Sequence, residues 1–442
     1  MSKLRERIKA MLPTPVKNGI RRVLNYRTSV REMHMIKAAP CLHDKALERV
    51  QQKDGPINVA FFAIFETTWK FDEVFKLLQK DSRFNPVITV CPVINFGHDN
   101  MVNRMRECYA YFKSKGYNTI RTFNEETGEY LDIRKELKPD VIFYTNPYRG
   151  LIDDRYYIDQ FQDILTCYCY YGFPESRQSF FYDTLVSNLV WRQYIPSPKM
   201  KEFFGDKIRN HGDNMFFSGY PGIDCFINKD NHFDYNWKIK DNKVKRIIWA
   251  PHHTIADENV EKMNSIHYST FLSYADFMLE LAEKYKDKVQ IAFKPHPLLR
   301  NKLPIAWGED KAEEYYKKWE NLPNGMLCDG AYVDLFMTSD AIIHDSGSFI
   351  SEYLFTGNPA CHLDNGIPYE EKHNSIALAS LSHYFKAKCK EDIEKFIVYV
   401  INGVDPMKEA RVKYVHDELM PPNGRLASEN IYQDLVDNLI AK

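Results

Sequence analysis

Short, continuous apolar runs alternate along this chain with stretches whose apolar positions recur every three or four residues. INVAFFAIF, from Ile57 to Phe65, has no polar face and reads as a strand buried on both sides. In WKFDEVFKLLQKD, Phe71, Val74, Phe75, Leu77 and Leu78 repeat at helical spacing. NPVITVCPVI reads as the next strand, MVNRMRECYAYFKSKG as a helix ending at Gly116, and YNTIRTF as a short strand. LDIRKELKPDVIFYTNPY is a helix and then a strand; DILTCYCYYGF and DNMFFSGYPGIDCF follow. A second series opens with the strand VKRIIWAP and the helix STFLSYADFMLELAEKYKD. It continues with the strand KVQIAFKPHP, the short helix YVDLFMTSD, the strand and turn DAIIHDSGS and the helix FISEYLFTG. The strand PACHL and the helices CKEDIEKFIVYVING and SENIYQDLVDNLIAK complete it.

Strands alternating with helices predict an α/β protein with parallel sheets covered on both faces. The polar stretch NKDNHFDYNWKIKDNKVK, residues 228–245, has few aliphatics and reads as a connection between two such units. The expected organisation is two Rossmann-like domains facing each other across a cleft. Residues 1–55 are a basic N-terminal helical segment and 56–240 a first Rossmann-like, acceptor-side domain. Residues 241–405 form a second, nucleotide-donor domain, and 406–442 are C-terminal helices.

Composition narrows this picture. In 442 residues, Lys and Arg number 59 and Asp and Glu 60, a net charge of −1 that gives no support to a general polyanion or nucleic-acid binder. Aromatics at 14% suit a large core and amphipathic cleft linings. No run approaches the ~18 apolar residues of a transmembrane helix, and MSKLRERIKAML lacks the apolar stretch of a secretory signal. The nine cysteines include one close pair, Cys167 and Cys169, and read as free thiols in a reducing cytoplasm. Between Met1 and Glu32, nine basic residues face two acidic ones, with Leu4, Ile8, Met11, Ile20, Val23 and Leu24 at helix-like spacing. This segment is either an amphipathic helix resting on the inner face of an anionic bilayer or a helix packed on the body.

Chemistry is expected just after the strands, at their carboxyl ends. After Ile343, the turn Asp345-Ser346-Gly347-Ser348 leads into an expected helix near Phe349. Its hydroxyls, close backbone and helix N-terminus suit a phosphate or diphosphate; the alternative is an ordinary serine N-cap. Glu352, one turn on, is placed to accept from ribose hydroxyls. Lys294 and His296 stand among prolines after VQIAF, where Lys294 can neutralise phosphate charge and His296 can donate to a phosphate oxygen or leaving group. His252 and His253 follow another strand; adjacent side chains are expected to diverge, so one can serve as a base but the pair is not expected to hold a metal. No zinc spacing occurs, and neither metal nor cofactor is expected. On the first domain, Gly172 in YYGFPE, His98 in INFGHDN at a strand end, and Asp224 in GYPGID are acceptor-side candidates, and Tyr171 beside Gly172 is a catalytic candidate.

From about Asn58 to Asp364 the chain resembles the CDP-glycerol glycerophosphotransferases, the teichoic-acid primases and polymerases of the GT-B fold. The residues that carry the likeness are Tyr332 to Asp340, His344-Asp345-Ser346-Gly347-Ser348 and Pro359. Lys-Pro-His-Pro at 294–297 and Gly219-Tyr220-Pro221 with Asp224 add to it. The resemblance places Ser348 on a family serine of the phosphate-binding turn, Glu352 on its acidic position, and His296 on a histidine thought to stabilise the phosphate or leaving group. It departs at Tyr171, where the family has the histidine expected to be the general base. Tyrosine, with a pKa of about 10, is a poor base at neutral pH. The resemblance implies a transferase of cell-envelope synthesis that moves glycerol- or ribitol-phosphate from a CDP-alditol to a polymer or lipid-linked hydroxyl, releasing CMP. The alternative is a GT-B glycosyltransferase that uses a UDP- or CMP-sugar in capsule or lipopolysaccharide synthesis.

Overall fold

The computed structural model describes residues 14–95, 97–255 and 267–440, with side chains from residue 26 onward. The first sheet has seven parallel strands: β1 (Ile57–Ala63), β2 (Phe84–Val90), β3 (Thr119–Arg121), β4 (Val141–Tyr144), β5 (Leu165–Cys169), β6 (Arg192–Ile195) and β7 (Met215–Phe217). Their order is β3-β2-β1-β4-β5-β6-β7. The second has six: β8 (Lys245–Ala250), β9 (Val289–Phe293), β10 (Gly325–Leu327), β11 (Ala341–His344), β12 (Ala360–Leu363) and β13 (Phe385–Ala387). Their order is β10-β9-β8-β11-β12-β13, again with every pairing parallel. Each sheet reverses its strand order beside its first strand, between β1 and β4 and between β8 and β11, where open α/β sheets leave a crevice for ligands. The apolar runs are central strands because helices cover both faces; Phe61, Val141, Phe143, Ile247, Ile343 and Cys361 are wholly buried. Residues 228–244 carry neither helix nor strand and join the two sheets.

Several elements are not evident from aliphatic periodicity. The helix Glu309–Asn321 reads EDKAEEYYKKWEN, and its buried face is Ala312, Tyr315, Tyr316 and Trp319, aromatic rather than aliphatic. The helix Leu299–Trp307 holds an internal Pro304, and β6 opens on the charged Arg192. The C-terminal helix Ala427–Leu439 returns to the first domain. Asp434 accepts from Tyr194 Oη at 3.0 Å and from Arg192 Nε at 3.2 Å, and Tyr432 donates to Asp81 at 2.8 Å.

The N-terminal helix spans Thr14–Gln51, and Pro15 sits in its first turn, where no intrahelical donor is lost. Its second half is part of the body. Ile36, Ala39, Ala46 and Val50 are buried, Arg209 pairs with Glu32 and with Asp183, and His43 Nε2 lies 3.0 Å from the Leu189 carbonyl. The basic side chains from Lys3 to Arg22 lie outside the described residues and side chains.

Candidate active site

Three adjacent strands, β9, β8 and β11, end side by side, and the residues just beyond them converge. His296 follows β9, His252 and His253 follow β8, and Asp345 to Ser348 follow β11. The His252 ring lies 5.2 Å from that of His296 and 4.3 Å from that of His253, with His253 and His296 4.2 Å apart, centroid to centroid. Contrary to expectation, the adjacent rings of His252 and His253 do not diverge. A tilt of 33° lets both meet His296, and one ligand atom from each of the three lies within 4.8 Å of the others. The turn Pro251–Thr254 bends the chain so that successive side chains share a face, which β-strand alternation would forbid.

Asp345 ties this corner together. Its carboxylate accepts from the backbone N–H of His252 at 2.6 Å, from that of Thr270 at 2.5 Å and from the Thr270 hydroxyl at 2.9 Å. Complete burial pushes its carboxyl up to about 6 and the bonds from Thr270 and His252 oppose that, so at neutral pH the carboxylate receives these donors. Tyr268 lies 5.2 Å from the His252 ring and also lines Gly347, where an added Cβ would stand 3.6 Å from the tyrosine ring. The proline-flanked histidine and the serine turn therefore belong to one corner of the second domain.

The expected helix after the turn does not form as such. Residues 347–352 are turns and bends, and only Tyr353–Thr356 is helical, as a 3₁₀ turn. Two of its N–H groups are already engaged: Ser348 donates to Ser346 Oγ at 3.1 Å and Ser351 to Glu175 Oε1 at 2.7 Å. With no α-helix opening here there is no helix dipole to stabilise an anion, and the hydroxyls and imidazoles stand as side-chain donors. Ser348 is exposed and Ser346 buried.

The imidazole hydrogen bonds bear on what this corner can hold. His296 Nδ1 accepts from the Leu298 N–H at 3.1 Å. His252 Nδ1 accepts from the Thr254 N–H at 3.3 Å and faces the Thr254 hydroxyl at 3.0 Å, whose oxygen already accepts from Tyr268 and Ser269. A neutral imidazole that accepts at Nδ1 carries its proton on Nε2. Burial, then the neighbouring His253 and Lys302, holds His296 down at about 3; burial and Lys302 hold His253 at about 4; burial pushes His252 far down. All three rings are neutral at pH 7. Two of them present an N–H, which donates to an oxygen, rather than the lone pair a cation would need. The three have metal-like spacing, but two have the tautomer of anion donors. His253 Nδ1 has no hydrogen-bond partner among the described residues.

Other candidates have different surroundings. Lys294 is buried and donates to the Gly330 carbonyl at 2.8 Å, and burial lowers its pKa. Glu352 is buried, its Oε2 accepting from Tyr332 Oη at 2.8 Å, with Lys70 of the first domain 3.3 Å from the same hydroxyl. Burial raises its pKa and Lys70 opposes the shift. Tyr171 is 40% exposed beside Gly172, its hydroxyl 3.4 Å from that of Tyr148. His98 does not end a strand: β2 stops at Val90, and His98 opens the exposed start of the helix His98–Ser114, against Phe123. Asp224 is buried and receives the N–H groups of Ala427 and Ser428, both at 2.8 Å. Its carboxylate is taken up holding the C-terminal helix. Tyr268, Thr270 and Lys70 went unread in the sequence, because their contacts join residues far apart in the chain.

A family model described as CDP-Glycerol:Poly(glycerophosphate) glycerophosphotransferase matches residues 178–436, more than half of the chain and the whole of the corner just described. The chain belongs to that family. It is a transferase of the glycerophosphotransferase type, with two Rossmann-like domains. Among solved structures it is similar to the wall teichoic acid polymerase TagF soaked with CDPG, at 14% identity and a TM-score of 0.55, over 94% of this chain and 98% of that one. It is also similar to a UDP co-structure of S. aureus MnaA, at 14% identity and 0.53, over 87% and 98%. A structure described as a putative UDP-N-acetylglucosamine 2-epimerase from Listeria monocytogenes matches at 13% and 0.53, over 86% and 96%. At these identities the likenesses establish the GT-B-like fold of the family member. No curated protein sequence matches the chain.

Proposed function

We propose that this family member transfers glycerol- or ribitol-phosphate from a CDP-alditol to a hydroxyl of a cell-envelope polymer or lipid-linked acceptor, releasing CMP. The observation that carries the reading is the convergence of His296, His252 and the Ser346–Ser348 turn at the ends of three neighbouring strands within the matched region. Nε2–H of His296 and of His252, with the serine hydroxyls, donates to the diphosphate oxygens. The acceptor hydroxyl, entering from the side of Tyr171 and Gly172, attacks the β-phosphorus. Its oxygen–phosphorus bond forms as the bond to the bridging oxygen breaks, and CMP keeps that oxygen. The hydroxyl proton passes to His253, whose Nδ1 has no hydrogen-bond partner among the described residues. Positioning and charge stabilisation supply most of the acceleration in such transfers.

A donor screen tests the reading. CDP-glycerol, CDP-ribitol and common UDP- and CMP-sugars are compared by thermal shift and nucleotide release. CMP with a new phosphodiester supports it; a released nucleotide with a new glycosidic bond replaces it by the glycosyltransferase reading. Because two of the clustered imidazoles are donors, transfer should be unchanged within about twofold by EDTA dialysis. Loss of activity restored by a divalent ion would make the cluster a metal centre.

No helix of the described residues is long and apolar enough to cross a membrane. Contact with the inner leaflet would instead be peripheral, through the basic N-terminus. Truncation at Pro40 would strip the buried Ile36 and Ala39 and the Glu32–Arg209 pair, so the informative cut lies before Tyr26, itself 72% exposed. Removing residues 1–25 should weaken sedimentation with anionic liposomes by about tenfold or more, since it deletes seven basic residues worth ~1 kcal/mol each at such a surface. Turnover on a soluble acceptor should stay near wild type. Unchanged sedimentation would end the membrane reading.

A further inference from the structure

The two domains meet through a short ladder beside the donor corner. The Asn374 N–H donates to the Glu175 carbonyl at 3.0 Å and its side-chain amide to the Pro174 carbonyl. Arg177 N–H donates to the Lys372 carbonyl at 3.1 Å, and the Arg177 guanidinium to that of Glu370 at 2.7 Å. Ser176 and His373 form an antiparallel bridge. From this ladder the Glu175 side chain turns into the second domain and accepts the Ser351 N–H at 2.7 Å. Ser351 lies three residues past Ser348, and Glu175 three past Gly172. One buried side chain, 4% exposed, thus joins the loop on which the acceptor is proposed to enter to the turn on which the diphosphate is proposed to rest.

Burying a carboxyl is costly, and an apolar residue would fill the space more cheaply if packing were its task. An acceptor group aimed at one backbone N–H instead fixes the register between two segments. We propose that Glu175 is a positioning residue. It sets the separation between the acceptor loop at Tyr171–Gly172 and the donor turn at Ser346–Ser348, and so the distance over which the hydroxyl reaches phosphorus. This rests on the transferase reading. A misplacement of about 1 Å can cost roughly 100-fold in rate, so loss of the link should be felt in the chemical step rather than in donor binding.

The test compares three variants of the full chain. Glu175→Gln keeps a carbonyl oxygen for the Ser351 N–H and should stay within about threefold of wild type in kcat. Glu175→Asp is one methylene too short, and Glu175→Ala has no acceptor; both should lose about 30-fold or more in kcat, with the KM for CDP-glycerol changed less than about threefold. If Glu175→Gln is as impaired as Glu175→Ala, the ionisable carboxyl acts in the chemistry and positioning is wrong. Full activity in Glu175→Ala, or equal losses in kcat and KM, overturns it as well. Hydrogen–deuterium exchange without substrate separates this outcome from failure of the transferase reading. Peptides covering 170–174 and 347–352 should exchange faster together in Glu175→Asp and not in Glu175→Gln. Unchanged exchange in both refutes the link whatever the donor proves to be. Should Glu175→Ala fail to fold, the Asp and Gln pair decides.

Discussion

Replacing His296 by alanine should slow transfer by about 100-fold or more while leaving the folded protein intact. The magnitude is that of losing one group that donates to developing charge on a transferring phosphoryl centre. The direction follows from the ring's hydrogen bonds. Its Nδ1 is occupied by the Leu298 N–H, which leaves the proton on Nε2, its ring lies against those of His252 and His253, and burial keeps it neutral, so it is a hydrogen-bond donor at neutral pH. The fold should tolerate the change, because the ring is only partly buried and its neighbours Pro251 and Leu299 are held by the backbone of residue 296 rather than by the imidazole. Single-turnover rates with CDP-glycerol, alongside thermal denaturation, separate the two effects. Wild-type turnover in the alanine variant would remove His296 from the mechanism.

Asp345→Ala should do the opposite, reducing stability by about 3 kcal/mol or more and abolishing donor binding as a consequence. Three donors, two backbone N–H groups and a hydroxyl, lose their common acceptor in a fully buried place, at ~1–3 kcal/mol for each one left unmade. Those donors belong to the His252 turn and to Thr270 just before the helix Phe271–Lys284, so the loss also frees the segment that places His252 and Tyr268. Asp345→Asn should be intermediate: its amide oxygen still accepts, but its NH₂ is set against an N–H that has nothing to receive it. Urea denaturation of both variants checks the order. An alanine variant as stable as wild type would show that the three bonds are not made in solution.

The two predictions concern residues that look alike in sequence, since both stand directly after a buried strand. The strands themselves are legible, because a parallel sheet covered on both faces demands unbroken apolar runs, as in VQIAF and AIIH. Position after a strand marks candidates but does not say what a side chain does there. Asp224 and Asp345 both follow strand-to-turn motifs and both proved to hold backbone N–H groups. Glu352 stands one turn past the serines in sequence, and only the fold shows that its carboxyl meets Tyr332 with Lys70 close by. FISEYLFTG has helical periodicity, but Ser351 surrenders its N–H to Glu175, and the segment tightens to a 3₁₀ turn instead of a full helix.

By itself the sequence determined the alternation of strands and helices, the pairing of two parallel sheets through a polar connection, the family, and the three strand ends at which the candidate residues stand. These depend on local burial period and on short motifs, which neighbouring residues carry among themselves. Only the tertiary structure decided that the rings of His252 and His253 both turn toward His296, which ring nitrogens of His252 and His296 accept, and that Glu175 crosses between domains to the Ser351 N–H. Such outcomes are set by hydrogen bonds and desolvation between residues remote in the chain, as when Asp345 gathers donors from residues 252 and 270, and no periodicity along the chain records who those partners are.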